Sequence, residues 1–330
     1  MDSYPTGSPT SSQTGRAVVG FQRPLPSDDL SRFVDEVGRE DCVRVAGGTS
    51  HWQVGRRHEA VARTVRAPSG VVEVQPAELI VRCGAGTTVA ELELAVSDAG
   101  LQCAVDALEP TVSTVGGILS TGWSGVRRLR HGHVRDLLLE AQYVGSDGIL
   151  RRAGAPVVKN VTGFDTCRLL VGSLGTLGLI GEVVLRCQPQ PVVRRWFTAA
   201  QADPWQVRRA LFRPSSILWD GEIVWVHIEG DHAEVTVESM ALPGSWTECD
   251  APRMPRSRST MTFEDIRTLP ATRPQGGWLA EIGTGTVHGI DVVDVVDRVP
   301  PLDDAVLQLN RKVKDAFDPT GRFNPGVLPW

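Results

Sequence analysis

The residues of this chain that could do chemistry together lie in three glycine-rich segments. "VRVAGGTSHW" supplies Gly47, Gly48, Thr49 and Ser50. "TVSTVGGILSTGWSG" supplies Thr114, Gly116, Gly117, Ser120, Thr121, Ser124 and Gly125. "DTCRLLVGSLGTLGLIGEVVLR" spaces glycines at 172, 175, 178 and 181 and runs into a strand. The chemistry such segments offer is anion binding, because without a Cβ successive backbone N–H groups can converge on a phosphate. The first could serve a pyrophosphate in this way, with Thr49 and Ser50 adding hydroxyl donors, and the second offers a further set. Taken singly, each cluster reads as an ordinary tight turn. Three in fixed order, each beside a strand, shift the reading toward a binding site.

The positioning elements can be read around these segments. "LPSDDLSRFVDEVG" is expected to be a helix capped by Ser27 and stopped at Gly38, and "DCVRVA" a strand delivering Gly47-Gly48. "GVVEVQP" and "ELIVRC" read as strands. "GAGTTVAELELAVSDAG" reads as a loop and helix, with Thr88 and Glu91 at capping-box spacing. "LLLEAQYVGSDGILRRAG" is a hairpin turning at Ser146-Asp147-Gly148, "DTCRLLVGS" a short helix and "GLIGEVVLRC" a strand. Two prolines in "QPQP" cannot sit in a central strand and place a boundary near residue 190. Seven of the nine tryptophans follow residue 195, in a region of mixed strands and helices where "DAPRMPRSRSTMTFED" reads as an exposed loop. The expected division is a disordered tail (1–18), a binding domain (19–190), a small α+β domain (191–300) and a C-terminal segment (301–330) returning to the binding domain.

A length of 330 residues suits one large or two moderate domains, and the net charge of -5 argues against a nucleic-acid partner, which would require a basic face. The run "GVRRLRHGHVRD" is locally basic, either as a solvated loop or as an anion contact. No stretch reaches the roughly eighteen apolar residues of a membrane helix, and the first residues lack the basic and apolar regions of a secretion signal, so a cytoplasmic protein is expected. The six cysteines form no C-x-x-C pair, which excludes the usual iron–sulfur and zinc-ribbon spacings, and no metal site is expected. Neither a G-x-G-x-x-G turn nor a P-loop is present; "GAGTTVAE" comes nearest the former but lacks its third glycine.

The segments "GGTS", "TVGGILSTGWSGVRRLRHGHVRDLLLEAQYVGSDG" and above all "VVKNVTGFDTCRLLVGSLGTLG" resemble the FAD-binding domain of the vanillyl-alcohol oxidase, or PCMH-type, superfamily. Within it they are most similar to the FAD-binding subunits of bacterial glycolate oxidases, as are "WLAEIGTGTVHG" and "FDPTGRFNPGVL". The resemblance implies an α+β fold: a two-lobed PCMH-type FAD-binding domain with a small α+β cap domain facing the flavin. It implies that Gly47, Gly48, Thr49 and Ser50 hold the pyrophosphate. Thr114, Gly116, Gly117, Ser120, Thr121, Ser124, Gly125 and Val134 would line the flavin and ribityl side, and Gly175, Gly178 and Ile180 would pass the adenosine end. On this reading the glycines let backbone lie flat against the cofactor. His51 follows the first loop, but the flavin-linked histidine of some relatives falls where Thr49 stands here, so non-covalent FAD is expected.

The implied activity is FAD-dependent oxidation of a small 2-hydroxy acid, by the chain alone or as a subunit of a complex. The alternative is a non-catalytic electron-relay or scaffold subunit serving a larger flavoprotein and an iron–sulfur subunit. Such an oxidation requires a cation for the carboxylate and a proton acceptor. Candidates are His288, His131, His133, Arg127 and Arg128, each also readable as a packing or surface residue. Lys159 and Asn160, before a glycine turn, either approach the flavin or cap backbone carbonyls. The H-G-D-G-N-x-H type site of the large glycolate oxidase subunit is absent and the cap is short, which puts independent substrate oxidation in question.

Overall fold

A computed structural model describes residues 27–50, 54, 56–57, 61–155, 165–269, 277–289 and 303–328. Helix α1 (Asp28–Val37) starts where Ser27 accepts the Leu30 N–H and stops at Gly38, whose φ of 58° suits glycine. Its Leu30, Phe33 and Val37 fall on one face and are buried against Val43, Val65, Val144, Leu179 and Phe323. The rest of this first lobe is β1 (Val43–Val45), β2 (Arg56–Arg57) and β3 (Arg63–Val65). β3 pairs parallel with β1, and β2 pairs with the C-terminal strand Val327–Leu328.

The second lobe is built from β4 (Val71–Gln75), β5 (Ile80–Gly84), α2 (Val89–Asp98), β6 (Leu101–Gln102), α3 (Val115–Thr121), α4 (Arg128–His131), β7 (Leu138–Val144), β8 (Leu150–Gly154), α5 (Thr166–Leu170), β9 (Leu179–Arg186) and β10 (Gln188–Pro189). β4, β5, β9, β7 and β8 make a five-stranded antiparallel sheet in that order, with β9 at the centre and buried along all but its last residue. A Cβ at Gly181 of β9 would sit 2.5 Å from Leu30, so a bare position there lets α1 close on the sheet. The prolines near residue 190 lie outside the central sheet: among the described residues β10 pairs only with β6, as a two-residue ribbon.

The cap comprises β11 (Val193–Ala200), α6 (Pro204–Ala210), β12 (Ser216–Trp219), β13 (Ile223–Gly230), α7 (His232–Met240), β14 (Thr247–Cys249), β15 (Arg258–Thr260), α8 (Phe263–Arg267), β16 (Leu279–Glu281) and β17 (Thr286–His288). Its seven-stranded sheet runs β14-β11-β13-β12-β16-β17-β15. Strand alternation sorts the two faces. Val224, Val226, Ile228, Ala280 and Val287 join the helix-covered core, where Trp278 is buried and Trp205, Trp219 and Trp246 pack against it. His227, Glu229, Glu281 and His288 take the opposite positions. The segment expected to be an exposed loop is only partly one, because β15 pairs with the edge of this sheet. From β15, Arg258 donates to the Ser124 carbonyl at 2.9 Å and lies over the Trp123 ring, joining cap to second lobe. No helix among the described residues is long and apolar enough to cross a membrane.

Beyond the C-terminal helix Asp304–Phe317 the chain lies against the first lobe, where the Arg322 carbonyl accepts the Val43 N–H at 2.8 Å. Arg322 is buried there and donates from Nε to the Asp41 carbonyl, from Nη1 to those of Gly38 and Ser146, and from Nη2 to that of Val37. Replacing Arg322 by Met strips four carbonyls of a charged donor, and a loss of about 3 kcal/mol or more is expected in urea unfolding. A loss below about 1 kcal/mol would show the contacts to be dispensable.

His227 is buried, stacked on Trp196 with centroids 4.7 Å apart, and its Nδ1 has no partner among the described residues. Burial lowers its imidazole from 6.5 to about 4, despite the neighbouring Glu229 carboxylate and with the Arg127 and Arg194 charges adding to the fall. Because the folded value is the lower one, the unfolded chain takes the proton first. The stability contributed by neutral His227 is therefore complete above pH 6.5 and is lost as pH falls toward 4. His133, also lowered to about 4, titrates in the same window. His227→Phe is expected to flatten, but not abolish, the fall in unfolding free energy across it; an unaltered slope would show that His227 does not contribute.

Candidate functional site

Between the two lobes lies a cavity of about 430 Å³. The end of β1 and the loop beyond it form one wall, α3 and the turn before it a second, and residues 66–69 after β3 a third. Ala85, Gly86, Thr88, Leu174, Ile180 and Asn324 close the remainder. Gly47, Gly48, Thr49, Ser50, Thr114, Gly116, Gly117, Ser120, Thr121 and Ile180, all expected at the site, line it.

The glycines also pack the walls of the cavity together. A Cβ on Gly48 would fall 1.6 Å from the Val112 carbonyl oxygen, one on Gly47 2.3 Å from Thr114 Oγ1, and one on Gly116 2.9 Å from Ala85. These bare positions let the cavity walls press against one another, so the cradle is formed by wall-to-wall contact. Side chains then lock it. Thr114 caps α3 by accepting the Gly117 N–H at 3.2 Å, Thr121 donates to the Gly117 carbonyl at 2.9 Å, and the Ser50 and Ser113 hydroxyls are 2.8 Å apart. Three lining residues that are not glycine have left-handed backbone: Thr49 at φ 59°, Leu174 at 52° and Asn324 at 41°. Such conformations cost free energy and collect where geometry is imposed by a site.

Asn324 was not singled out by the sequence reading. Its Oδ1 accepts the Val45 N–H at 3.1 Å and its Nδ2 donates to the Leu174 carbonyl, so it ties the first wall to the loop before β9. Arg66, Ser69, Ala85, Gly86 and Thr88 are further lining residues that reading missed. The hydroxyls of Thr49, Ser69 and Ser120 make no hydrogen bond with a described residue, which leaves three donors in the wall for a ligand. No carboxylate is among the lining side chains of the described residues. Unbonded hydroxyls, closely packed backbone and the lack of negative charge fit a diphosphate-bearing cofactor. A second cavity of about 370 Å³ shares Gly48, Thr49, Ser50 and Val112 with the first and extends to Arg256, which pairs with Glu109.

Other expected ligands lie away from the first cavity's lining. Ser124 is buried and accepts the Val134 N–H at 2.9 Å, and Val134 is itself buried. Gly125 makes room for Asp106, Gly175 for Asn324 and Gly178 for the Tyr143 ring, with Cβ positions 2.2, 2.7 and 2.6 Å from those side chains. These five residues pack the walls from behind. Four of the catalytic candidates, Arg127, His131, His133 and His288, are engaged with other side chains or backbone. Arg127 pairs with Asp106 and donates to Gln102 at 2.9 Å. His131 bonds Glu229 and, at 3.0 Å, Gln188, and His133 accepts the Arg135 N–H at 3.1 Å. His288 is buried in the cap sheet, 2.7 Å from Glu281. Burial would raise the Glu229 carboxyl, but the His131 bond and the Arg127 charge bring it down to about 2. His51, Lys159 and Asn160 lie outside the described residues.

A two-lobed α+β domain with a cradle of this kind and a sheet-based cap defines an FAD-binding flavoprotein. Residues 21–154 match the family model described as FAD binding domain, and FAD is the cofactor of this part of the chain. A solved structure of alkyldihydroxyacetonephosphate synthase superposes with a TM-score of 0.65 at 15% identity, covering 89% of this chain and 75% of that one, which shows the shared fold. The chain is 27% identical to "Glycolate oxidase subunit GlcE" of Escherichia coli (strain K12), over 86% of this chain and 91% of that protein. It is 36% identical to a D-lactate dehydrogenase of Archaeoglobus fulgidus, over 53% of this chain but 40% of that protein. Both of these relatives are named as oxidoreductases, an oxidase subunit and a dehydrogenase.

The packing of Gly48 gives a direct test. Gly48→Ala forces the loop away from Val112, and FAD content per folded chain is expected to fall about tenfold or more, a change of roughly 1.4 kcal/mol or more in binding. Gly277→Ala, where a Cβ meets open space, is the control. Wild-type flavin content in the Gly48 variant would show that this loop does not shape the cofactor site.

Proposed function

We propose that this chain is the FAD-binding subunit of a glycolate oxidase-like assembly that oxidises a small 2-hydroxy acid, with FAD held non-covalently in the cavity between the lobes. The observation that carries this reading is the extent of the likeness. The match to the glycolate oxidase subunit runs through nearly the whole of both proteins, whereas the matches to a Bacillus subtilis glycolate oxidase subunit GlcD and to the D-lactate dehydrogenase span 38% and 40% of those proteins. Partners in the assembly would be a larger flavoprotein and an iron–sulfur subunit.

Within this reading, Gly47, Gly48, Thr49 and Ser50 place backbone and hydroxyl donors around the diphosphate, while Thr114, Gly116, Gly117, Ser120 and Thr121 form the facing wall. Oxidation of a 2-hydroxy acid to a 2-oxo acid removes the C2 hydrogen with its electron pair and the hydroxyl proton, and bound FAD supplies the acceptor for the electron pair. The protein's part would be to hold and orient the cofactor between the lobes, with the cap joined to the second lobe where Arg258 meets Trp123 and Ser124.

The test is an anaerobic reduction. The native assembly, purified from its host, and the isolated chain are each mixed with glycolate and with D-lactate while flavin absorbance is followed. Bleaching in the assembly is the expected result. An assembly whose flavins stay oxidised with both acids would overturn the substrate class, and a chain purified without FAD that cannot be reconstituted would overturn the cofactor assignment.

A further inference from the structure

Arg66 directly follows β3, and the parallel pairing of β3 with β1 sets it beside the loop that continues β1 into Gly47 and Gly48. Its exposed side chain lines the large cavity, and among the described residues it is the cavity's sole ionisable lining group. Its neighbour Arg63 is engaged, with Asp41 3.9 Å away and the Glu36 carbonyl as acceptor. Arg66 makes one long hydrogen bond, from Nη1 to the Gly47 carbonyl at 3.4 Å, and pairs with no carboxylate among the described residues. Redirecting this guanidinium would therefore break little.

The other lining groups supply dipoles without net charge: backbone N–H groups and the hydroxyls of Thr49, Ser69 and Ser120. A diphosphate carries two negative charges, and a guanidinium presents a planar fork that matches phosphate oxygens. We propose that Arg66 is the counter-charge to the FAD diphosphate, its guanidinium turning from the Gly47 carbonyl to a phosphate oxygen when the cofactor binds. This rests on the assignment of the cavity to FAD and goes beyond it, since the backbone cradle alone would bind the cofactor without a cation. The competing role is structural: Arg66 would merely hold the Gly47 carbonyl and with it the loop.

The two roles differ in their response to salt. Apo full-length protein, as wild type, Arg66→Met and Arg66→Lys, is titrated with FAD by flavin fluorescence at several NaCl concentrations, and the apo thermal midpoints are measured alongside. Arg66→Met is expected to weaken FAD binding about ten- to a hundredfold at low salt and to flatten its salt dependence, with the apo midpoint unchanged. Arg66→Lys keeps the charge, so the wild-type salt dependence and part of the affinity are expected to remain. Two results would overturn the proposal: Arg66→Met affinity within about twofold of wild type, or a loss that is equal at every salt concentration and accompanied by a lowered apo midpoint. Wild-type protein that fails to bind FAD would instead overturn the cofactor assignment itself.

Discussion

Arg322 is a cation buried in the first lobe, and the cavity depends on what it holds. Its guanidinium gathers the carbonyls of Val37, Gly38 and Asp41 between α1 and β1 and that of Ser146 in the β7–β8 turn, two places remote in sequence. Burial lowers its pKa from the ordinary guanidinium value, while the buried Asp318 carboxylate works in the other direction. Asp318 in turn accepts the backbone N–H groups of Arg322 and Phe323 at 3.1 and 2.9 Å and pairs with Lys314. With that knot fixed, Asn324 has little choice of position. It sits in left-handed backbone, takes the Val45 N–H and gives a hydrogen bond to the Leu174 carbonyl. Val45 leads into Gly47-Gly48, so the placement of the loop at the cofactor site is inherited from the far end of the chain.

The cap contributes through alternation. Strands β13, β16 and β17 bury aliphatic residues under the helices and turn His227, Glu229, Glu281 and His288 to the other side, where His131 and Arg130 of α4 approach Glu229 and Arg258 crosses to Ser124. Buried charge is costly unless paired, and the pairing here runs between domains: Glu229 is met by His131 from the second lobe and by Arg194 from the cap. The junction is therefore specified by polar complementarity.

How much of this could be read from the sequence depends on distance along the chain. Ser27 at the start of α1 and the Thr88–Glu91 box at the start of α2 act over three residues, and both appear as expected. The wall formed by Thr114 to Thr121 was legible because one short helix presents it. Ser124 was not, because α3 ends at Gly122 in left-handed backbone at φ 65° and the chain turns away before Ser124 is reached. Arg66 and Asn324 escaped for another reason. The first reaches the cavity through a parallel pairing of β1 and β3, and the second bonds a partner 279 positions away, relations that no local pattern encodes. Arg258 was hidden in a Pro- and Ser-containing stretch whose loop-like composition masks a three-residue edge strand.

The glycines have a packing role that their clustering alone does not name. Their clustering signals close approach of backbone, and the sequence cannot say approach to what. Here the partner of Gly47 and Gly48 is the turn at Val112 and Thr114, and the partner of Gly116 is Ala85. The Gly116 N–H donates to the Ala85 carbonyl at 2.7 Å and the Val115 N–H to the Thr87 carbonyl at 2.9 Å, so the second wall is hydrogen-bonded to the loop between β5 and α2 as well as pressed against it. Side chains between these segments would hold them apart and leave backbone N–H groups without partners. Bare positions remove that obstacle, and the cavity is what remains between three backbone segments that can approach one another on one side and not on the other. The polar specificity of the site then falls to the few polar side chains among those lining the remaining space: hydroxyls, one amide and one guanidinium.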